Sequence, residues 1–290
     1  MGIVNVTPDS FSDGGCFLDH ARAIEHGTQL VEEGADLVDI GGESTRPGAA
    51  AVDVDTELER VLPVVEALAP LVRVSIDTTK PEVAREAVAA GATLVNDVSG
   101  TLWAEAAELG VGWVAMHRRG DPATMQQLAH YDDVVAEVRA AVVEMADRAV
   151  AAGVPEVWID PGIGFAKTAA HNLTLLGHLE ALVDTGYPVL VGTSRKAFLG
   201  STLGASDHRG WQRARQVARA GVELPLPPAA DEVAPAAVDD RVEGNVATVA
   251  WCVAKGARMV RVHDVRPARD AVKVVASMGA QERRQRTRWP

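Results

Sequence analysis

Short apolar segments alternate with longer amphipathic segments along the chain, and this alternation limits the possible folds more than any other feature of the sequence. The apolar segments predict eight strands, at residues 3–6, 37–40, 72–76, 94–97, 112–116, 157–160, 189–192 and 259–262. Segments between them carry apolar residues at helical spacing, as Leu58, Val61 and Val65 do within the predicted helix at residues 54–68. Apolar strands separated by helices indicate a parallel sheet whose outer face is covered by those helices.

Eight strands, each followed by a helix, predict a single (β/α)8 TIM barrel of the α/β class. The length of 290 residues agrees with the roughly 250 residues typical of such a barrel. An open, doubly wound sheet is the alternative arrangement of the same elements. We predict that residues 1–280 form the barrel, with its sixth helix at 171–182 and its last at 266–277. The polar, basic tail at residues 281–290 is expected to fray.

The segment at residues 205–240 interrupts this rhythm between the seventh and eighth strands. It is rich in alanine, proline and charged residues, and three prolines at residues 225–228 are incompatible with a regular helix there. We predict a long, mobile insertion between strands 7 and 8, with one helix around residues 211–220.

Composition excludes several classes of protein. The 28 basic and 40 acidic residues give a net charge of −12, which disfavours a nonspecific nucleic-acid binder because such proteins rely on a basic surface. Two cysteines, Cys16 and Cys252, are too few for a disulfide framework or a cysteine zinc site. No apolar run approaches the roughly 18 residues that cross a bilayer, and no secretory signal is evident. We therefore expect a cytoplasmic protein whose partners are neither nucleic acids nor membranes.

Polar residues lie at or just after the ends of the predicted strands. They are Asn5, Asp39, Asp77, Asn96, His117, Asp160, Ser194 and His263. A single polar residue in such a position is usually a helix cap or turn former. Eight of them in register favour a polar mouth at the carboxyl end of the barrel, where barrel enzymes have their active sites.

Two loops, at residues 6–15 and 41–48, follow the first two strands and are rich in glycine, proline and hydroxyl residues. Their backbone N–H groups can approach an anion, and the loops can close as lids, although ordinary connecting loops are the alternative.

Arg261 and His263 point the same way from the last strand, so both cations can meet one phosphate or pyrophosphate. An exposed edge strand is the alternative for this pair.

The carboxylate and amide groups of Asp77, Asn96 and Asp160 need partners inside the mouth. A heterocycle with adjacent N–H and NH2 groups would supply them, and Lys196 can reach a ring carbonyl or nitrogen. No metal-ligand motif is present, but Asn5 beside phosphates would suffice for Mg2+, which keeps most of its waters.

At these residues the sequence resembles the dihydropteroate synthase family, pterin-binding enzymes of folate biosynthesis that sulfonamides target. The resemblance runs through almost the whole chain in the family's order. Its blocks are residues 2–15, 39–48, 75–78, 95–98, 116–126 in part, 160–167, 192–196 and 261–264. One of them reads Asp160-Pro161-Gly162-Ile163-Gly164-Phe165-Ala166-Lys167.

The resemblance implies a transferase that condenses 4-aminobenzoate with 7,8-dihydropterin-6-ylmethyl diphosphate, giving 7,8-dihydropteroate and pyrophosphate. It also implies a Mg2+ cofactor and a homodimer. The implied pterin-binding residues are Asp77, Asn96, Asp160 and Lys196. The implied diphosphate-binding residues are Thr45, Arg46, Arg261, Val262 and His263, with Asn5 as the Mg2+ ligand. Phe11, Pro47 and Ser194 would frame the aminobenzoate. The implied catalytic residues are Asp13, Lys196, Arg261 and His263, with Asp13 facing the cation that forms when the C–O bond breaks.

A dissociative route agrees with the chemistry of these groups. 4-Aminobenzoate is a weak neutral nucleophile, and the sequence offers no obvious base for it. Pyrophosphate leaves more easily if Mg2+, arginine and histidine stabilise its charge, while closed lids exclude water.

Two alternatives use the same barrel. One is a methyltetrahydrofolate-binding methyltransferase domain, which would not need both lid loops or the Arg261 and His263 pair. The other is a non-catalytic pterin-binding paralogue, which we would expect to lose lid-loop residues first. The presence of Asp13, Thr45 and Arg46 favours the transferase.

Overall fold

The computed structural model describes residues 1–7, 16–44, 51–121, 124–205 and 235–286. Its strands are β1 (Gly2–Asn5), β2 (Leu37–Gly41), β3 (Arg73–Asp77), β4 (Leu94–Asp97), β5 (Gly112–Met116), β6 (Val157–Asp160), β7 (Leu190–Gly192) and β8 (Met259–Arg261). Each strand begins and ends within about one residue of its predicted bounds. An uninterrupted apolar run between polar residues is typical of a short buried strand, so the run indicates where the strand begins and ends.

Strands β1 to β6 form one parallel sheet in sequence order, and β7 pairs in parallel with β8. Backbone hydrogen bonds join these two sheets at both edges. The Ile159 N–H donates to the Pro188 carbonyl at 3.0 Å, and the Ile3 N–H donates to the Val262 carbonyl at 3.0 Å. The eight strands therefore close into the predicted (β/α)8 TIM barrel, and the open-sheet alternative is excluded.

The helices lie outside the barrel. They are α1 (Cys16–Glu32), α2 (Val54–Leu68), α3 (Pro81–Ala89), α4 (Trp103–Leu109), α5 (Val134–Ala151), α6 (Ala169–Gly177), α7 (Glu180–Val183), α8 (197–205), α9 (Val242–Ala254) and α10 (Val265–Arg286). Short 3-10 helices occupy Met125–Leu128 and Val238–Arg241. Local sequence explains several helix starts: Asp53 caps α2 by accepting from the Thr56 N–H, and Pro81 begins α3.

Three helical predictions differ from the structure. The segment predicted as one helix at 171–182 is divided into α6 and α7, because Gly177 and the non-helical His178 end α6. Helix α9 was missed, since its apolar residues surround the helix and form no clear stripe. Helix α10 extends to Arg286, well beyond its predicted end at residue 277, through a sequence rich in strong helix formers. The helix predicted at 211–220 lies outside the described residues.

Side-chain alternation along the strands separates the hydrophobic core from the barrel interior. Outward residues such as Val74 and Ile76 pack against the helices in the main core. Inward residues form an apolar floor of Met1, Leu37, Leu94, Val114 and Leu190. Two residues further along the strands, the inward positions become Asp39 on β2 and Asn96 on β4. The polar groups thus lie above an apolar floor, at the carboxyl end of the barrel. Among the described helices, none is both long and apolar enough to cross a membrane.

Candidate active site

Arg261, at the end of β8, lies between two carboxylates inside the barrel mouth. Its Nε is 2.6 Å from Oδ2 of Asp39, and its Nη2 is 2.7 Å from Oδ2 of Asp77. Asp39 is fully buried, and Asp77 is nearly so. A guanidinium has five N–H donors, so three remain for a ligand after these two contacts. Arg261 is therefore held in place by the protein and still presents a positive fork to the mouth.

Asp39 also fixes the orientation of the Asn96 amide. Nδ2 of Asn96 donates to Oδ2 of Asp39 at 2.8 Å. Because an ionised carboxylate only accepts hydrogen bonds, the NH2 group of Asn96 must face Asp39 and its carbonyl oxygen is available as an acceptor. Asp39 was predicted to lie at a strand end but not to be a site residue, although its charge within the apolar strand Leu37–Gly41 was a signal for one.

Burial raises the pKa of Asp77 to about 7, against the opposing effect of the Arg261 guanidinium. Asp39 adds a second negative charge, which raises the pKa of Asp77 further. The Asp77 carboxyl consequently gains or loses a proton readily near neutral pH, and its charge depends on what binds beside Arg261.

Asp160, the last residue of β6, is a second buried carboxylate of the mouth. Its Oδ1 accepts from the Gly162 N–H at 2.7 Å. Burial raises its pKa, and the positive charges of Lys196, Lys167 and Arg261 oppose that shift, as does the Gly162 hydrogen bond. Asp160 thus offers an acceptor whose burial is only partly offset by surrounding cations.

Lys196 is presented by a constrained turn between β7 and α8. Its N–H donates to the Thr193 carbonyl at 3.2 Å, while Arg195 has a φ of 59°, which is unusual for a residue other than glycine. Nζ of Lys196 lies 4.2 Å from the centre of the Phe165 ring. Burial and, to a lesser extent, the Arg261 charge lower the pKa of Lys196 to about 8, against the opposing effect of the Asp160 and Asp77 carboxylates.

Ser194 and His263 form a hydrogen-bonded pair beside the cations. Oγ of Ser194 lies 2.9 Å from Nδ1 of His263 and accepts from the His263 backbone N–H at 3.2 Å. Ser194 is buried and His263 is partly exposed, so the pair sets the position of the imidazole at the mouth. The turn that contains Ser194 is anchored to α9 by the preceding residue, Thr193, whose hydroxyl donates to Oδ1 of Asn245 at 3.1 Å.

Asn5 ends β1 at the same edge of the barrel and is half-buried. Its carboxamide oxygen is the type of ligand that Mg2+ accepts. Across the part of the chain that the structure describes, no three histidine, cysteine, aspartate or glutamate residues are grouped as a metal site. Asn5 by itself supplies one oxygen ligand, which is compatible with a cation that takes its other ligands from substrate and water.

The base of the second loop is fixed by residues that sequence analysis did not single out. Arg60 Nη1 donates to the Gly42 carbonyl at 2.8 Å. Lys80 forms ion pairs with Glu43 on the loop and with the fully buried Glu57 of α2. Only the fold brings these residues together, since Lys80 follows β3.

The structure does not bring every predicted residue into this group. The Val262 side chain lies in the hydrophobic core, and both of its backbone polar groups are bonded within the barrel. The predicted residues Phe11, Asp13, Thr45, Arg46 and Pro47 lie outside the described residues.

In the described part of the mouth, buried acceptors (Asp77, Asn96 and Asp160) face the cations Lys196 and Arg261 and the partly exposed imidazole of His263. Such a site can accept hydrogen bonds from the N–H groups of a flat heterocycle and stabilise an anion beside it.

Comparison with known proteins gives a consistent picture. Residues 1–263 match the model of the family described as pterin binding enzyme. The dihydropteroate synthase of Mycobacterium leprae is 47% identical over 286 residues, covering 96% of this chain and 92% of the relative.

Solved structures agree. Xanthomonas albilineans dihydropteroate synthase with 4-aminobenzoic acid is 44% identical, with a TM-score of 0.80 and coverage of 97% of this chain and 92% of that one. The same enzyme in complex with 7,8-dihydropteroate is 42% identical, with a TM-score of 0.77 and coverage of 97% and 93%.

Proposed function

The chain belongs to the pterin binding enzyme family, and from that premise we propose that it catalyses the dihydropteroate synthase reaction of folate biosynthesis. It is a transferase that joins the 7,8-dihydropterin-6-ylmethyl group of a diphosphate substrate to the amine of 4-aminobenzoate. The products are 7,8-dihydropteroate and pyrophosphate. A relative's complex with 4-aminobenzoic acid supports that compound as a substrate, and its complex with 7,8-dihydropteroate supports that compound as the product.

One observation carries the proposal: the mouth combines buried acceptors with cations above an apolar floor. Asp160 and Asn96 present acceptor oxygens, and Asp77 adds a carboxyl group that Arg261 holds. A pterin has adjacent N–H and NH2 groups that suit such acceptors, and Lys196 can donate to its ring carbonyl or nitrogen. Arg261 has donors left for the diphosphate at the side of the same pocket.

We propose that the reaction proceeds by dissociative loss of pyrophosphate. 4-Aminobenzoate is a weak neutral nucleophile, so in this proposal the protein accelerates departure of the leaving group. Arg261 and His263 stabilise the negative charge that develops on the diphosphate, and the carboxylates of the mouth stabilise the positive charge on the pterin. Asp13, on the first loop, is proposed to face that cation, and closure of both loops excludes water.

Thr45 and Arg46 complete the diphosphate site in this proposal, and Phe11, Pro47 and Ser194 frame the aminobenzoate. The hydrogen bond between Ser194 and His263 supports this arrangement, because it links the aminobenzoate side of the mouth to the diphosphate side.

Mg2+ is proposed as the cofactor, with Asn5 as its protein ligand. When bound, the ion neutralises charge on the leaving diphosphate. Mg2+ keeps most of its waters and is commonly bound through substrate phosphates, so in this proposal Asn5 would contribute one protein ligand to a complex of Mg2+ and diphosphate.

We further propose a cytoplasmic homodimer. Val274 and Met278 lie one turn apart on α10, and their large apolar side chains are 55% and 62% exposed. Such a patch is typical of an interface between subunits. Light scattering of the protein and of Val274→Glu tests this, and an unchanged mass would remove this patch from the proposal.

The reaction is tested by incubating the protein with the dihydropterin diphosphate, Mg2+ and labelled 4-aminobenzoate. Dihydropteroate is expected only when all three are present. Folded protein that binds pterin but forms no product would instead be a non-catalytic paralogue. Methyl transfer from methyltetrahydrofolate, assayed in parallel, would indicate the methyltransferase alternative.

A further inference from the structure

Lys167, in the loop after β6, is almost completely buried at 4% exposure and has no assigned role in the site. Its Nζ donates to the carbonyl oxygens of Gly162 and Phe165, both at 3.0 Å. A third contact, at 2.9 Å, is to Nδ1 of His117, and the His117 carbonyl lies further away at 3.4 Å. All of these partners are uncharged acceptors, so the lysine is buried without a carboxylate in direct contact.

His117, at the end of β5, completes this group as a neutral ring. Burial lowers its pKa to about 3, and the neighbouring Lys167 ammonium lowers it further. Nδ1 therefore accepts from Lys167, and the ring proton lies on Nε2. The three N–H groups of the ammonium match the three short contacts.

The loop after β6, at residues 161–168, packs closely against the end of β5. Gly162 has a φ of 64°, and a Cβ there would lie 1.9 Å from the His117 carbonyl oxygen, so another residue would not fit. Ala166 has a φ of 48°, and its carbonyl accepts from the Tyr131 hydroxyl at 3.0 Å. A strained non-glycine residue persists only where its surroundings hold it, and Lys167 follows it directly.

This loop determines the position of two groups in the mouth. Gly162 is bonded on both sides: its carbonyl accepts from Lys167, and its N–H donates to Asp160 at 2.7 Å. Phe165, whose carbonyl also accepts from Lys167, presents its ring to Nζ of Lys196 at 4.2 Å. Movement of the Lys167 side chain would therefore disturb both Asp160 and Lys196.

Lys167 also acts on Asp160 through its charge. Burial lowers the pKa of Lys167 to about 7, against the opposing effect of the Asp160 carboxylate, so the ammonium is present at acidic pH and decreases as pH rises through neutrality. Three cations interact electrostatically with the Asp160 carboxylate: Lys167 on its own loop, Lys196 at the start of α8 and Arg261 on β8. Among the described residues, the other titratable groups of the mouth are Asp39 and Asp77, both paired with Arg261, neutral His117, and His263, which is hydrogen-bonded to Ser194. Burial favours the neutral form of Asp160, and Lys167 is one of the groups that oppose it.

We propose that Lys167 is a positioning residue of the pterin site: it fixes the loop that orients Asp160 and supplies positive charge that keeps this carboxylate anionic. This inference rests on the proposed function, because it assigns Asp160 to pterin binding. Lys167 itself does not contact the substrate.

Lys167→Met tests the proposal, since methionine has similar length but neither charge nor donors. The affinity for 6-hydroxymethylpterin is measured by calorimetry from about pH 5 to about pH 7, in the unmodified protein and the variant. Without Lys167, Asp160 accepts a proton at higher pH, so affinity falls most at acidic pH and recovers as pH rises. We expect about a tenfold loss of affinity at the acidic end of this range.

The pH profile separates this role from a purely structural one. A constant ratio of affinities across the pH range would mean that Lys167 acts only through loop structure, and would overturn the proposal, as would equal affinity. Failure of the unmodified protein to bind pterin at any pH would instead refute the proposed function.

Lys255→Met is the matched control, because Lys255 lies on the surface, paired with Glu180, and its loss should leave the pH profile unchanged. If Lys167→Met does not unfold cooperatively, Lys167→Gln retains two N–H donors for the carbonyl oxygens without the charge. Loss of folding in both variants would show that the lysine holds the barrel itself together, and would overturn the proposal.

Discussion

Nε of Arg261 lies 2.6 Å from Oδ2 of Asp39, a carboxylate that is completely buried and also accepts from Asn96. A single aspartate therefore orients both the cation proposed to hold the diphosphate and the amide proposed to hold the pterin. Removing one partner of a buried ion pair leaves the other charge uncompensated, which costs about 3–5 kcal/mol.

Asp39→Asn is therefore expected to weaken both stability and catalysis. The neutral amide cannot balance the Arg261 charge, and it can present an NH2 group to Asn96, which would turn that amide around. We expect kcat/KM for the pterin substrate to fall by about 100-fold or more. Steady-state kinetics and thermal unfolding check this, with the exposed Asp36→Asn as control; equal losses in both variants would contradict it.

Lys196→Met should abolish most turnover. Because burial lowers the pKa of Lys196 to about 8, its donating ammonium form decreases as pH rises through that value. In the unmodified protein kcat should consequently fall on the alkaline side of about pH 8, and the variant's residual activity should lack this decline. The pH profile of kcat measures both effects, and near-normal turnover of Lys196→Met would remove the residue from the mechanism.

Asp160→Asn should bind pterin less tightly and yet be more stable. Burial raises the pKa of Asp160 above its ordinary value of 3.8, so the ionised carboxylate destabilises the folded state. This cost is absent below the unfolded pKa, grows as pH rises from the unfolded pKa to the folded pKa, and is complete above the folded pKa. At neutral pH we expect a higher Tm and about 10- to 100-fold weaker pterin binding. Asp184→Asn on the surface is the control; unchanged affinity for Asp160→Asn would contradict the assignment.

Deletion of residues 205–235, joined by a short Gly-Ser linker, should leave the barrel folded. The Ala236 N–H donates to the Gly200 carbonyl at 3.0 Å, so the chain on either side of this region is already in contact. We expect cooperative unfolding with a similar Tm and an unchanged pterin affinity. Loss of cooperative unfolding would show that the segment is part of the folded core.

The strands were predictable because each is a short apolar run bounded by polar residues, a local signal that needs no knowledge of the fold. The same alternation predicted which residues, including Asp77, Asn96 and Asp160, end at the barrel mouth. Helix α9 and the break between α6 and α7 were not predicted, since an evenly apolar helix and a single glycine give weak signals.

The sequence by itself determined the eight-fold alternation, the polar end of the barrel and the set of residues that resemble a known family. Tertiary structure decided how those residues pair and which of their charges are buried. Arg261 and Asp39 are 222 positions apart, and Lys167 meets His117 from 50 positions away. Sequence periodicity is local, whereas ion pairing and desolvation depend on groups that only closure of the barrel brings together.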